Sequence, residues 1–278
     1  MELYTIETGY FGLDGGAMFG VVPKPLWERT NPANAANRIR LAMRCLLVVD
    51  GERRVLVDCG LGHKYDSRFA GLYDLDHSIT LDSSLHRHGL TRADITDLVL
   101  THLHFDHAGG TTERVNGQVA VAFPHARIHV QRQHLAHALA PNAREKASFF
   151  DDHVRPIAEW EGLVLHDSPT TLFEGFDLVT VHGHTDAMQL PVLTYKNRKL
   201  LYAADLIPTH GHVPLPYVMG YDIRLLDSLR EREYWLPRLA DEAWVVLFEH
   251  DPDHACGTVV RTERGGYQAG EVFGLDNL

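Results

Sequence analysis

The sequence predicts a mixed α/β protein in which layered sheets are covered by helices, and three observations predict it. Strand hairpins are mixed with helical stretches instead of running as regular strand–helix–strand units. A hydrophobic share of 45% and a charged share of 23% over 278 residues are ordinary globular values. No low-complexity linker or short-period repeat divides the chain, so residues 1–278 read as a single domain.

The elements follow in chain order. Residues 11–38, rich in Gly, Pro and Asn, read as a long irregular segment serving as a lid or a homodimer arm. From Ile39 the apolar Ile39, Leu41, Met43, Cys45, Leu47 and Val49 alternate with Arg40, Arg44 and Asp50, giving a strand with one buried face. Asp50-Gly51 is a hairpin signal leading into a second strand over 53–57. A helical stretch over 81–88 stops at Gly89, and Thr91 with Asp94 resembles a capping box ahead of a strand at 98–100. Residues 126–130 read as strand; 134–139 and 143–153 read as helices, with His86, His88, His134 and His137 exposed. Strands are expected at 176–181 and 190–195, and a turn at 196–198 leads into another at 199–204. Leu225, Leu226, Leu229 and Leu236 mark a helix over 223–235 that Pro237 ends. Residues 243–248 form an apolar strand, and Gly265-Gly266 turns a final hairpin.

Composition narrows the partners. Lys plus Arg is 26 against 37 for Asp plus Glu, a net charge of −11 without a basic cluster. Dense neutralisation of nucleic-acid phosphates or of an anionic membrane surface is therefore not expected. Cys45, Cys59 and Cys256 are scattered and never spaced C-x-x-C, which argues against a disulfide framework and a thiolate zinc site and suits a cytoplasmic setting. The first residues lack the basic start and apolar run of a signal peptide, and no apolar run approaches the ~20 residues a membrane span needs. The odd number is nineteen histidines.

Those histidines concentrate. Thr101-His102-Leu103-His104-Phe105-Asp106-His107 directly follows the 98–100 strand. In a near-extended backbone, residues two apart point the same way, so His102, His104 and Asp106 share a side while His107 reaches another centre. Three imidazoles and a carboxylate in six residues suit zinc, and also manganese or iron. Further donors follow other strands: His182-Gly183-His184 after 181, Asp205 after 199–204, and Glu249-His250 after the apolar run. A carboxylate ending a buried strand is costly without a partner, and a metal supplies one.

His-x-His-x-Asp-His at 102–107, with His184 in Gly-His-Thr, Asp205 and His250, resembles the metallo-β-lactamase superfamily. Val57-Asp58-Cys59-Gly60 resembles its strand-ending Asp-x-Gly, and the likeness covers roughly residues 40–255. The resemblance implies a four-layer αβ/βα sandwich of two mixed sheets with outer helices and metals in an edge cleft. It assigns His102, His104 and His184 to one divalent ion, and Asp106, His107 and His250 to a second. Asp205 and a hydroxide would bridge the two ions. Asp58 would sit behind the ligands, accepting from the metal loop. Zinc is the expected metal, with Mn²⁺, Fe²⁺ and Co²⁺ compatible.

The resemblance further implies a hydrolase whose bridging hydroxide opens a lactone or cleaves a carboxylic ester, with Asp106 and Asp205 at the chemistry. Spacings among 107, 184, 205 and 250, and Asp14–Gly20, are similar to acyl-homoserine lactonases and organophosphorus hydrolases, so phosphotriester hydrolysis is the nearest alternative. An iron-dependent dioxygenase or a thioesterase on the same fold is a more distant one. Lactonases of this group carry a tyrosine three residues after the bridging aspartate; here Pro208 stands there, leaving Tyr217 and Tyr221 as substitutes. Where Gly-His-Thr is usually followed by Pro-Gly, this chain has Asp186-Ala187. His212, with His210 beside it, is the candidate proton donor to the leaving group. Met18, Phe19 and Trp27 are candidates for an apolar substrate wall, with packing as their other use.

Overall fold

The computed structural model describes residues 1–167 and 169–278, which fold as two compact units. The first comprises Met1–Gly9, Met43–Pro169 and Ala187–Gln189; the second comprises Tyr10–Ala42, Thr170–Asp186 and Leu190–Leu278.

The first unit is built on a six-stranded sheet ordered Glu2–Asp14, Arg38–Asp50, Arg53–Val57, Asp97–Val99, Arg127–Gln131 and Leu163–His166. The expected hairpin is present, running antiparallel from Leu46 opposite Val57 to Asp50 opposite Arg53. The next three pairings are parallel. Parallel strands are covered on both faces, which is why Leu56, Leu98, Ile128 and Val130 are all buried, with Leu85 and Ile157 from helices in the same core. Asp97–Val99 is short and wholly buried, so the segment following it starts from a rigid base.

Several elements depart from the sequence pattern. Residues 2–14 form one strand although Leu3, Ile6 and Phe11 do not alternate; Gly9, at φ +117°, lies within it. The helix expected over 143–153 is Asp151–Ala158 instead. Asn142 accepts from the amides of Arg144 and Glu145 at 2.8 and 3.2 Å and from Lys146 N–H at 3.0 Å, so a capped turn does start there, but it is not propagated into a helix. The hairpin Thr112–Val115/Gln118–Val121 and the strands Leu163–His166 and Thr170–Phe173 carry too little periodicity to be read. His86 and His88 are exposed as expected, but His134 is buried, its Nε2 accepting from Leu103 N–H at 2.8 Å.

The second unit carries a seven-stranded sheet ordered Tyr267–Phe273, Cys256–Arg261, Val245–Leu247, Arg198–Tyr202, Met188–Tyr195, Phe176–Val181 and Thr170–Phe173. Arg198–Tyr202 and Val245–Leu247 are parallel neighbours, so their C-terminal ends share one edge. The helix Leu225–Asp241 passes through Pro237 instead of stopping there. Glu233, whose carbonyl loses its helical donor to Pro237, lies on the exposed side of the helix. Residues 11–38 are more ordered than their composition implies: they hold the end of the first strand and the helices Gly15–Phe19 and Lys24–Trp27. Asp14 caps the former by accepting from Ala17 N–H at 2.8 Å. Among the described residues, no helix is long and apolar enough to cross a membrane.

Candidate metal centre

In the first unit, the four donors of the 102–107 segment lie beyond the end of Asp97–Val99. The extended geometry holds as far as His104, so His102 Nε2 and His104 Nδ1 converge to 3.0 Å. It then ends, because Phe105–Ala108 is a helical turn. Asp106 therefore does not continue the His102–His104 row; its Oδ2 lies 3.7 Å from His107 Nε2. All four side chains are buried.

Hydrogen bonds behind the ligands fix their tautomers. Asp58, buried and at φ +57°, accepts from Thr101 N–H and Thr101 Oγ1–H, both at 2.7 Å. With its hydroxyl proton committed to Asp58, Thr101 Oγ1 can only accept from His102 Nδ1–H, 3.1 Å away, which leaves the His102 Nε2 lone pair facing His104. Asp58 also accepts from His107 Nδ1–H at 3.1 Å, leaving His107 Nε2 as a ligand atom. Close packing enforces this arrangement. A Cβ on Gly109 would fall 2.2 Å from Leu61 O, and one on Gly110 2.2 Å from Cys59 O, so only glycine lets the ligand segment lie on the Asp58 turn. Lys64 Nζ donates to Gly109 O and Thr112 O, each at 2.6 Å, and burial pulls its pKa down to about 8. Gln189 donates to Leu100 O at 2.7 Å and His129 O at 2.8 Å, bracing the strand ends beneath the segment.

In the second unit, Asp205 stands between two imidazoles and gives one oxygen to each. Oδ2 is 2.9 Å from His184 Nε2, and Oδ1 is 3.1 Å from His250 Nε2. Asp222 accepts from His184 Nδ1–H at 2.9 Å and is itself held by Ser228 Oγ–H at 2.6 Å. His250 Nδ1–H donates to Ala42 O at 2.8 Å. Burial alone would lower the His184 pKa, but Asp205 and Asp222 outweigh it and lift it to about 10. Two carboxylates closing on one buried imidazole, Asp205 on Nε2 and Asp222 on Nδ1, make an environment suited to a cation. Ala204, at φ +41°, turns Asp205 away from the preceding strand.

The donors of both units are imidazole nitrogens and carboxylate oxygens with converging lone pairs and backing hydrogen bonds, which fits a borderline divalent metal. The Metallo-beta-lactamase superfamily matches residues 42–250. The chain belongs to that superfamily. As a metallo-β-lactamase fold it is similar to a probable metal-dependent hydrolase from Staphylococcus aureus, at 26% identity and a TM-score of 0.89, covering 100% of this chain and 98% of that one. It is also similar to AidC, a dizinc quorum-quenching lactonase, at 24% identity and a TM-score of 0.81, covering 96% and 93%. A probable metallo-hydrolase of Mycobacterium bovis is 25% identical, with 85% of each chain covered.

Among the remaining candidates, His212 departs from its expected role. His212, expected to donate a proton, is fully buried; Thr209 Oγ1 lies 2.7 Å from its Nδ1 and Met18 O 3.1 Å from its Nε2. Met18 O can only accept, so the ring is an Nε2–H tautomer with both nitrogens engaged. Burial drives its pKa down to about 3, and Phe19 stacks on it at 4.0 Å. His212 is thus a neutral tether for the N-terminal segment. His210 is committed to Asp251 at 2.5 Å, a bond that raises its pKa. Met18, Phe19 and Trp27 are buried, with Phe19 and Trp27 stacked at 5.3 Å, so packing is the use the structure gives them. Tyr217 is half-buried with its ring edge toward Phe19, and Tyr221 is exposed.

Asp222, Ser228 and Arg232 went unread because none belongs to a local motif. Arg232 is fully buried and donates to Leu206 O at 2.8 Å, to Pro214 O at 2.9 Å and to His212 O. It pins the segment that follows Asp205 from within the Leu225–Asp241 helix.

Proposed function

We propose that this metallo-β-lactamase superfamily member is a dinuclear metallohydrolase that opens a lactone or cleaves a simple carboxylic ester. In this reading His102, His104 and His184 would hold one ion and Asp106, His107 and His250 the other, with Asp205 offering a carboxylate to both, as the resemblance implies. The observation that carries this reading is Asp205, whose two oxygens face two different histidines. When bound, two divalent ions would supply a water deprotonated near neutral pH and a Lewis acid for the scissile carbonyl. The chain's own part is to orient: Asp58 and Asp222 hold His107 and His184, and Ala42 O holds His250.

An ester or lactone with an apolar acyl part suits the surroundings of Phe105, next to Asp106. Its ring packs edge-on to Phe69 and Phe150 at 5.6 and 5.7 Å. Those two residues, with Tyr65, line a cavity of about 740 Å³ in the first unit. AidC, which has a similar fold, was solved with an N-acyl homoserine product, and that is consistent with this class.

The test is a kinetic comparison of lactones, aryl esters and phosphotriesters using purified, metal-loaded protein. Lactone turnover that collapses in His104→Ala and Asp205→Asn is expected. Lactone turnover unchanged by both substitutions would sink the reading, and higher efficiency on phosphotriesters would reassign the substrate class.

A further inference from the structure

In four of the five candidate histidine ligands, the nitrogen facing away from the metal has a hydrogen-bond partner: Thr101 for His102, Asp58 for His107, Asp222 for His184 and Ala42 O for His250. For His104 the geometry points to Glu145. This carboxylate is 3% exposed, and its Oε1 stands 3.6 Å from His104 Nε2. That separation is an ion-pair contact longer than a hydrogen bond. Oε2 is already saturated, accepting from His137 Nε2–H and from Asn142 Nδ2–H, each at 2.6 Å. One oxygen is therefore anchored by two donors and the other is left toward His104.

The turn that carries Glu145 is fastened to the ligand segment. Ser148 N–H donates to Glu145 O at 2.7 Å, and Phe105 N–H donates to Ser148 O at 3.0 Å. His104 also rests against Phe149, with ring centroids 4.8 Å apart. A carboxylate is costly to bury unless a cation or donor faces it. His104 Nδ1 is the atom that converges with His102, so the Nε2–H edge is the one facing Glu145.

We propose that Glu145 is a positioning residue for His104. It fixes the Nε2–H form and ring orientation so that the Nδ1 lone pair is presented to the metal, and the pair strengthens as His104 takes on positive charge. His137 and Asn142 act through it by holding Oε2. The inference rests on His104 being a metal ligand, as proposed above.

The experiment measures zinc affinity by competition with a chromophoric chelator, together with the imidazole N–H signals of ¹⁵N-labelled, zinc-loaded protein. Glu145→Ala should weaken zinc binding about 10–100-fold, the range for lost outer-sphere partners. The downfield Nε2–H signal of His104 should broaden or vanish, while those of His107 and His184 persist. Glu145→Gln keeps the volume but offers one acceptor oxygen where Glu145 offers two, so it should recover only part of the affinity and leave the His104 signal weakened. Glu145→Asp keeps the charge but withdraws it from His104, so it should weaken binding too, and it serves if the alanine variant does not fold. Wild-type affinity and an unchanged His104 signal in Glu145→Ala or Glu145→Asp overturn the proposal. A His104→Ala control separates the two levels: if it keeps both zinc equivalents at wild-type affinity, His104 is not a ligand and the ligand assignment on which the proposal rests fails, whatever Glu145 does.

Discussion

The two halves of the donor set are built in opposite ways. In the first unit, His102, His104, Asp106 and His107 lie in one six-residue stretch on a parallel core. In the second, His184, Asp205 and His250 are far apart in sequence and each follows a different strand. The contiguous half is shaped by its own backbone, with glycines and Asp58 pressing the turn into place. The dispersed half has no such local shape and relies on buried polar residues, Asp222 and Arg232 above all. The contrast teaches that a short motif needs close packing, whereas a scattered one needs anchors recruited from remote helices.

Asp205→Asn should show the largest effect. Hydrolysis should fall by more than ~10²-fold, beyond the range of outer-sphere changes, with loss of bound metal by elemental analysis. Arg232→Met comes next and sharpens the comparison. It strands several buried carbonyls at about 1–3 kcal/mol each, so the urea midpoint should drop markedly. Metal binding should weaken as well, because the segment after Asp205 loses its clamp.

Asp58→Asn and Asp222→Asn should each weaken metal binding about 10–100-fold, read by chelator competition. Asp58 touches two ligands through Thr101 and His107, so its variant should be the worse of the pair. Equal effects would break the contrast between a locally supported and a remotely supported half.

Acid should act on both units. His212 in the second and His153 in the first are held neutral by burial, each with its pKa lowered to about 3. The unfolded chain takes up these protons near the ordinary histidine pKa of ~6.5, while the folded chain does not. Stability from both groups is therefore present above about pH 6.5 and is lost as pH falls toward 3. Urea midpoints measured from pH 7 to pH 5 should decline, and His153→Gln should flatten part of the slope.

The legibility of the chain follows the same division. The hairpin at Asp50-Gly51 and the ligand segment were readable because turn chemistry and donor spacing are local signals. Asp58 was readable only beside the ligand motif. Asp222 and Arg232 were not, since nothing in their neighbourhood distinguishes a buried anchor from a helix-surface charge. The 143–153 pattern misled because the turn capped by Asn142 stops where Glu145 is drawn into the interior by His137 and Asn142, and the helix starts again only at Asp151. His212 misled for a related reason: a histidine beside a ligand segment reads as chemistry, yet its two nitrogens serve Thr209 and Met18.

The smallest expected effect comes from Ala187, buried at φ +55°, in the left-handed region that favours glycine. Left-handed backbone costs a non-glycine residue about 1–2 kcal/mol, partly offset by the ~0.4–1 kcal/mol entropy cost of glycine. Ala187→Gly should therefore raise Tm slightly, by about 1–4 °C in a thermal melt.

The most direct test of the central claim is a zinc titration of chelator-stripped protein followed by calorimetry, run on the wild type and on Asp205→Asn. Two half-sets joined by one shared carboxylate predict two equivalents per chain in the wild type, with at most one tight equivalent left in the variant. A wild-type chain that binds one equivalent or none, or two equivalents untouched by the loss of the Asp205 carboxylate, would contradict the account.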